Sequence, residues 1–184
     1  MIGPYDSERI VLCSLDASPD SQRDQDQAGN FFPRGKWVGA VRNAAERLKC
    51  RFVILTGKYG MVNPETIIKK YDCPLNSKTE RKIKMIWERT IPSEIGNDRY
   101  DIVIMYFGAN PRDPILKIIK PIIHNIKMDI ITFGAPNMKD VGIIENVFHL
   151  LTKGVTLNDI KAILMYPNRL RFYSRKGAGS VFQQ

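Results

Sequence analysis

Residues 51–60 read Arg51-Phe52-Val53-Ile54-Leu55-Thr56-Gly57-Lys58-Tyr59-Gly60. The first six form a continuous β-rich run. A strand with one wet face alternates apolar and polar residues, whereas a strand covered on both faces does not. The run therefore predicts a central strand of a parallel sheet. It closes on a turn, Gly57-Lys58-Tyr59-Gly60, whose two glycines permit positive φ and close backbone approach.

Working outward, three more runs have the same character. They are Arg9 to Ser14, Asp101 to Phe107 and Asp129 to Phe133. The segments between them carry helical spacing. Lys36 to Lys49 places Trp37, Val41, Ala44, Ala45 and Leu48 on one face. Ser77 to Ile95 opens on Ser77 as N-cap, with Glu80 three residues later as in a capping box, and Pro92 kinks or stops it. Asp113 to Ile126 bends at Pro121, and Lys139 to Leu151 and Leu157 to Tyr166 follow, the last capped by Thr156. Leu15 to Pro33 is polar, aperiodic and read as a loop.

This alternation predicts a three-layer α/β domain with a mostly parallel sheet of about four strands. Residues 1–154 form the α/β domain, and 155–184 a C-terminal helix and basic tail. Ligands of such sheets bind at the carboxyl ends of the strands. Four loops qualify: Ser14 to Asp20, Gly57 to Pro64, Gly108 to Pro114 and Gly134 to Met138.

Composition narrows the class. A chain of 184 residues suits one domain, since domains run ~100–200 residues. With 43% hydrophobic and 26% charged residues it resembles ordinary folded proteins, which argues against wholesale disorder. The balance of 28 Lys+Arg against 19 Asp+Glu gives +9, the electrostatic footprint expected of a partner for nucleic acid, DNA or RNA. No apolar run reaches the ~18–20 residues that span a bilayer, so no membrane role is expected. The start of the chain shows no secretory pattern. Three scattered cysteines argue against a disulfide framework and for a reducing cytoplasm.

The stretch Phe52 to Leu75, FVILTGKYGMVNPETIIKKYDCPL, resembles a family of uncharacterised prokaryotic and phage proteins. Their signature is a strand, a Ser/Thr-Gly/Ala-Lys-Tyr/His-Gly turn, a hydrophobic pair, Pro-Asp/Glu, and Ile-x-x-Tyr-Asp. The stretch is also similar to the YaaA peroxide-stress proteins and to the uracil-DNA-glycosylase-like domain of archaeosine synthases. The resemblance implies a uracil-DNA-glycosylase-like fold connected with nucleic acids or modified bases. It further implies that an acid on the loop after the first strand orients the water that attacks a sugar carbon. Asp16 is the better candidate and Asp20 the other. The family's Ser-Lys after the first strand is absent, since Cys13-Ser14 runs on into Leu15-Asp16-Ala17-Ser18-Pro19-Asp20.

Each candidate has a functional and a plain reading. In the turn, Lys58 suits a phosphate and Tyr59 a stacked base, against a tight turn packed under a helix. Tyr71 and Asp72 complete the site if their segment folds back, with Asp72 pairing Lys58 or Arg51 or holding a sugar hydroxyl. The alternative is a structural ion pair beside a buried tyrosine. Asp16 and Asp72 are the catalytic candidates, against solvated loop residues. Gly57, Lys58, Tyr59, Gly60, Tyr71 and Asn110 are the base- or nucleotide-binding candidates. Arg112, Arg169, Arg171, Arg175 and Lys176 are the phosphate contacts, against turn chemistry at Asn110 and Arg112 and a solvated tail. Asn137 has the same ambiguity as Asn110. Phe31 and Phe32 suit a base-flipping wedge or a staple that anchors the loop.

Other chemistries lack their motifs. No P-loop, nucleophile elbow or dinucleotide fingerprint occurs. Two histidines and three scattered cysteines give no zinc spacing, so no metal or cofactor is expected. His124 and His149 are read as helix residues near the core, and Cys13 as a buried small residue rather than a nucleophile.

Three functions remain. The first is a base- or nucleotide-binding protein that hydrolyses or exchanges an N-glycosidic bond without a metal. The second is a non-catalytic nucleic-acid-binding module of a defence, stress or modification system, with a protein partner there. The third is a small nucleotide- or nucleoside-processing enzyme.

Overall fold

Four parallel strands occupy the middle of a six-stranded sheet. The computed structural model describes residues 4–17, 22–32, 37–96, 98–108, 112–133, 142–163 and 170–173. Along them run β1 (Ile10–Leu15), β2 (Gln25–Gln27), α1 (Ala28–Phe31), α2 (Trp37–Leu48), β3 (Arg51–Thr56), β4 (Gly60–Val62) and β5 (Ile67–Lys69). They continue as α3 (Glu80–Ile95), β6 (Ile102–Tyr106), α4 (Arg112–Asn125), β7 (Asp129–Phe133), α5 (Gly142–Thr152), α6 (Leu157–Ile163) and β8 (Leu170–Tyr173). The order across the sheet is β4-β3-β1-β6-β7-β8, with both edges antiparallel to their neighbours. β2 and β5 pair separately as an antiparallel ribbon.

Both faces of the sheet are covered, as the unbroken apolar runs require. Ile10, Leu12, Phe52 and Ile54 face Val38, Val41, Ala44 and Ala45 of α2 and Val147 and Leu151 of α5. The alternate residues Val11, Cys13, Val53 and Leu55 face Ile83, Trp87 and Ile91 of α3 and Ile119 of α4. Each fully buried aliphatic side chain contributes roughly 1.5–3 kcal/mol, so this sandwich dominates stability. Cys13 lies within it, and burial pushes its thiol well above the ordinary range.

Three helices end alike. The amides of Cys50, Met128 and Val155 reach back to the carbonyls of Ala45, Ile123 and Leu150. The residue before each has positive φ: Lys49 (54°), Lys127 (55°) and Gly154 (79°). This is the left-handed helix stop that glycine favours, and here two lysines adopt it.

Several expectations need correction. α3 starts at Glu80 rather than Ser77. Its entry is a turn in which Asn76 Oδ1 accepts from the amides of Lys78 (2.9 Å) and Thr79 (3.2 Å). Pro92 neither ends the helix nor prevents its last turn, which closes with Gly96 N–H on the Pro92 carbonyl. The region read as an aperiodic loop holds β2 and α1. Phe31 and Phe32 are buried, so they staple the loop and present no wedge. The amides of Ala28 and Gly29 pin that staple to the Thr66 and Pro64 carbonyls. His124 and His149 lie on helices but are exposed, not near the core. Within the segment read as a tail, Leu170–Tyr173 joins the sheet beside β7.

Candidate functional site

β1 and β3 pair in parallel, so their carboxyl ends bring two loops together. The Asp16 amide extends the ladder by donating to the Leu55 carbonyl at 3.0 Å. The Asp16 side chain then turns toward the next loop, where its Oδ2 accepts from the Gly57 amide at 3.1 Å. The hydroxyl of Tyr71, 55 residues further along the chain, donates to the same oxygen. Among the described residues no hydrogen bond is made to Asp16 Oδ1. No cation pairs with Asp16 among them either.

Burial pushes the Asp16 carboxyl above its ordinary range, and Tyr71, the Gly57 amide and the carboxyl's own backbone amide only partly oppose that. Burial, then the nearby Asp16 charge, pushes the Tyr71 hydroxyl upward as well. Tyr71 therefore stays protonated and acts as a donor that fixes the carboxyl's orientation.

The turn is built to hold this pair. Thr56 Oγ1 accepts from the Tyr59 amide (2.9 Å) and donates to the Gly60 carbonyl (3.0 Å). The Trp87 indole N–H donates to the Thr56 carbonyl at 2.9 Å. A Cβ on Gly57 would stand 2.3 Å from the Cys73 carbonyl oxygen, so only glycine lets the strap from Tyr71 to Cys73 cross here. Gly60 has φ +77°, and a Cβ there would stand 2.1 Å from Thr90 Oγ1. Both glycines thus serve close packing by the chain itself. The Tyr59 hydroxyl donates to the Lys69 carbonyl at 3.1 Å, and its ring meets Tyr71 edge-on at 5.5 Å. Lys58 is exposed, its Nζ 5.3 Å from the centre of the Tyr59 ring.

Asp72 does not join this cluster. It is exposed, and among the described residues no ion pair links it to Lys58 or Arg51. Arg51 opens β3, so at roughly 3.3 Å per residue it lies about 20 Å from the start of the turn. It pairs there with Glu94 at 3.3 Å. The third strand-end loop is tied in through Trp37. This ring packs over Gly108, where φ is +58°, and its N–H donates to the Leu15 carbonyl at 3.1 Å. Arg112 opens α4, and Arg171 lies in β8 opposite Thr132. Asp20, Asn110, Asn137, Arg169, Arg175, Lys176 and the loop from Gly134 to Met138 lie outside the described residues.

Sequence reasoning passed over Thr56, Cys73 and Trp87. The available signal was the threonine ending β3 and a glycine on either side of the Lys58-Tyr59 pair. Among the described residues no group of His, Cys, Asp and Glu could hold a metal ion, and no helix is long and apolar enough to cross a membrane.

No curated protein and no solved structure matches the chain. Residues 14–135 match the model of DUF6884, a family of unknown function. That span covers well over half the chain and includes Asp16, the glycine turn and the Tyr71 strap. The chain belongs to the DUF6884 family.

Proposed function

We propose that this protein binds a base or nucleotide of a nucleic acid at the carboxyl ends of β1 and β3, and there hydrolyses or exchanges an N-glycosidic bond. One observation carries the reading. Asp16 Oδ2 is held by two neutral donors, while Oδ1 makes no hydrogen bond among the described residues. A carboxyl so oriented and so poorly compensated is an arrangement found at functional sites.

In the reaction, Asp16 Oδ1 accepts a hydrogen bond from water and takes its proton as the water oxygen bonds to the sugar C1′. The C1′–N bond breaks, and its electron pair leaves with the base, which is protonated from solvent or a donor. For exchange, the nitrogen of an incoming base replaces the water. Tyr71 and the Gly57 amide position Asp16, and Lys58 beside Tyr59 supplies a cation for phosphate. The likeness of Phe52 to Leu75 to the YaaA and archaeosine-synthase sequences supports a base as the ligand. Positioned general bases contribute typically 10²–10⁴-fold.

Base release from single- and double-stranded oligonucleotides tests the proposal. Wild type should release base, and Asp16→Asn should bind equally but release at least about 100-fold more slowly. No release from any oligonucleotide, or equal release by the variant, would overturn it.

A further inference from the structure

The outer face of α3 differs in charge from an ordinary solvated helix face. Ile83, Trp87, Ile91 and Ile95 are its buried side. Opposite them stand Arg81, Lys82, Met85 and Arg89, all exposed, within about a 100° arc at 3.6 residues per turn. Lys78, exposed in the preceding turn, continues the line. Solvated helix faces commonly mix signs and pair them. Here the acids lie off this arc and are engaged elsewhere, Glu88 with Lys84 at 3.8 Å and Glu80 with Lys117 at 3.7 Å. Among the described residues Lys78, Arg81, Lys82 and Arg89 have no ion pair. Met85, 64% exposed, sits between them.

Contacts along α3 fix where this face lies. Trp87 meets Thr56 at the end of β3, and Glu94 meets Arg51 at its start. The helix therefore runs antiparallel to β3, and its first turns lie at or past the carboxyl ends of the strands. At 1.5 Å per residue, Arg81 stands about 9 Å beyond Trp87 along the axis. The basic line leads to the end of the sheet that carries Asp16.

We infer that the Lys78-Arg81-Lys82-Arg89 face of α3 is a docking surface for the phosphate backbone of a nucleic acid, which it holds beside the Asp16 site. The inference rests on the proposed reading of that site and adds the polymer to it. Charge complementarity is the argument. Four cations on one face, without acids between them, suit a repeating row of phosphates. Counterion release then makes the binding steeply salt-dependent.

The test is oligonucleotide binding by fluorescence anisotropy across a salt series, using the full chain. Lys78, Arg81, Lys82 and Arg89 are all changed to Gln in one variant. A control variant changes Lys49, Arg99, Lys127 and Lys153, exposed cations elsewhere, to Gln. Circular dichroism checks that both fold, and four single variants replace the first set if it does not. Each phosphate contact contributes ~0.7–0.9 to the slope of log K against log salt. The α3 variant should therefore lower the slope by about three, with each single variant lowering it by about one, and lose roughly tenfold or more in affinity. The control should bind as wild type. Equal loss in both variants would reduce the effect to net charge and overturn the inference, as would no loss in the α3 variant. Binding to vesicles with anionic phosphatidylglycerol but not to oligonucleotides would overturn it as well. The two proposals fail separately. Salt-steep, α3-dependent binding without base release removes only the hydrolase, whereas Asp16-dependent release with unchanged binding by the α3 variant removes only the docking face.

Discussion

The two ends of the same parallel sheet treat their carboxylates differently. At the amino ends two acids pair with arginines and a third takes a tyrosine. Arg9 grips Asp101 through two bonds of 2.8 and 3.0 Å, Arg51 pairs with Glu94, and the Tyr5 hydroxyl donates to Asp129 at 2.6 Å. At the carboxyl end Asp16 is held by a tyrosine and an amide, neither of which carries charge. The amino end spends its acids on closing the fold. The carboxyl end keeps Asp16 oriented but without a cationic partner among the described residues, which costs stability once it is ionised.

Substitutions at the two ends should therefore behave differently. The largest stability loss is expected from Gly60→Ala. Left-handed backbone costs an ordinary residue ~1–2 kcal/mol and overpacking ~1–3, so chemical denaturation should show about 2–5 kcal/mol lost. A loss under half a kcal/mol would mean that the turn is not held against Thr90. Tyr5→Phe at the amino end leaves the buried Asp129 short of a donor and should cost about 1–3 kcal/mol, with base release unchanged. A fall in release would blur the division between the ends.

Tyr71→Phe sharpens the contrast at the carboxyl end. The Tyr71 bond favours the ionised form of Asp16, so its removal lets burial push the carboxyl further up. The acid limb of the release rate should then move to higher pH. An acid limb that stays fixed or moves down would separate Asp16 from Tyr71. The smallest effect is expected at Lys49→Gly. Relief of the left-handed backbone, just ahead of β3, should raise stability by about 0.5–1 kcal/mol without touching the Asp16 cluster.

The sequence showed the sheet where the physics was local. Arg51–Thr56 and Asp129–Phe133 have the bounds read from it, because a strand buried on both faces is an unbroken apolar run. The three-residue strands β2, β4 and β5 have no room for a period to show. β8 was hidden by its setting, since Arg169, Arg171 and Arg175 made Leu170 to Tyr173 look like part of a solvated tail. The site was half legible. The glycine turn could be singled out by residue type and place, and Asp16 and Tyr71 through the resemblance carried by the stretch from Phe52 to Leu75. That Tyr71 rather than Asp72 turns inward could not, because the contact spans 55 residues and depends on a strap crossing Gly57.

Asp16 has no cationic partner among the described residues, unlike Asp101 and Glu94, which pair with arginines at the amino end. Burial raises Asp16 in the folded state above its unfolded value, so the folded chain holds the proton more tightly. Stability should then fall as pH rises from the ordinary aspartate value, ~3.9, through the raised one. The deciding measurement is the unfolding free energy of wild type and Asp16→Asn from acid to neutral pH. The two should be about equally stable at acid pH, and the variant should be the more stable at neutral pH. A wild type that gains on the variant as pH rises would mark Asp16 as a carboxylate stabilised by its ionisation, and would contradict the account.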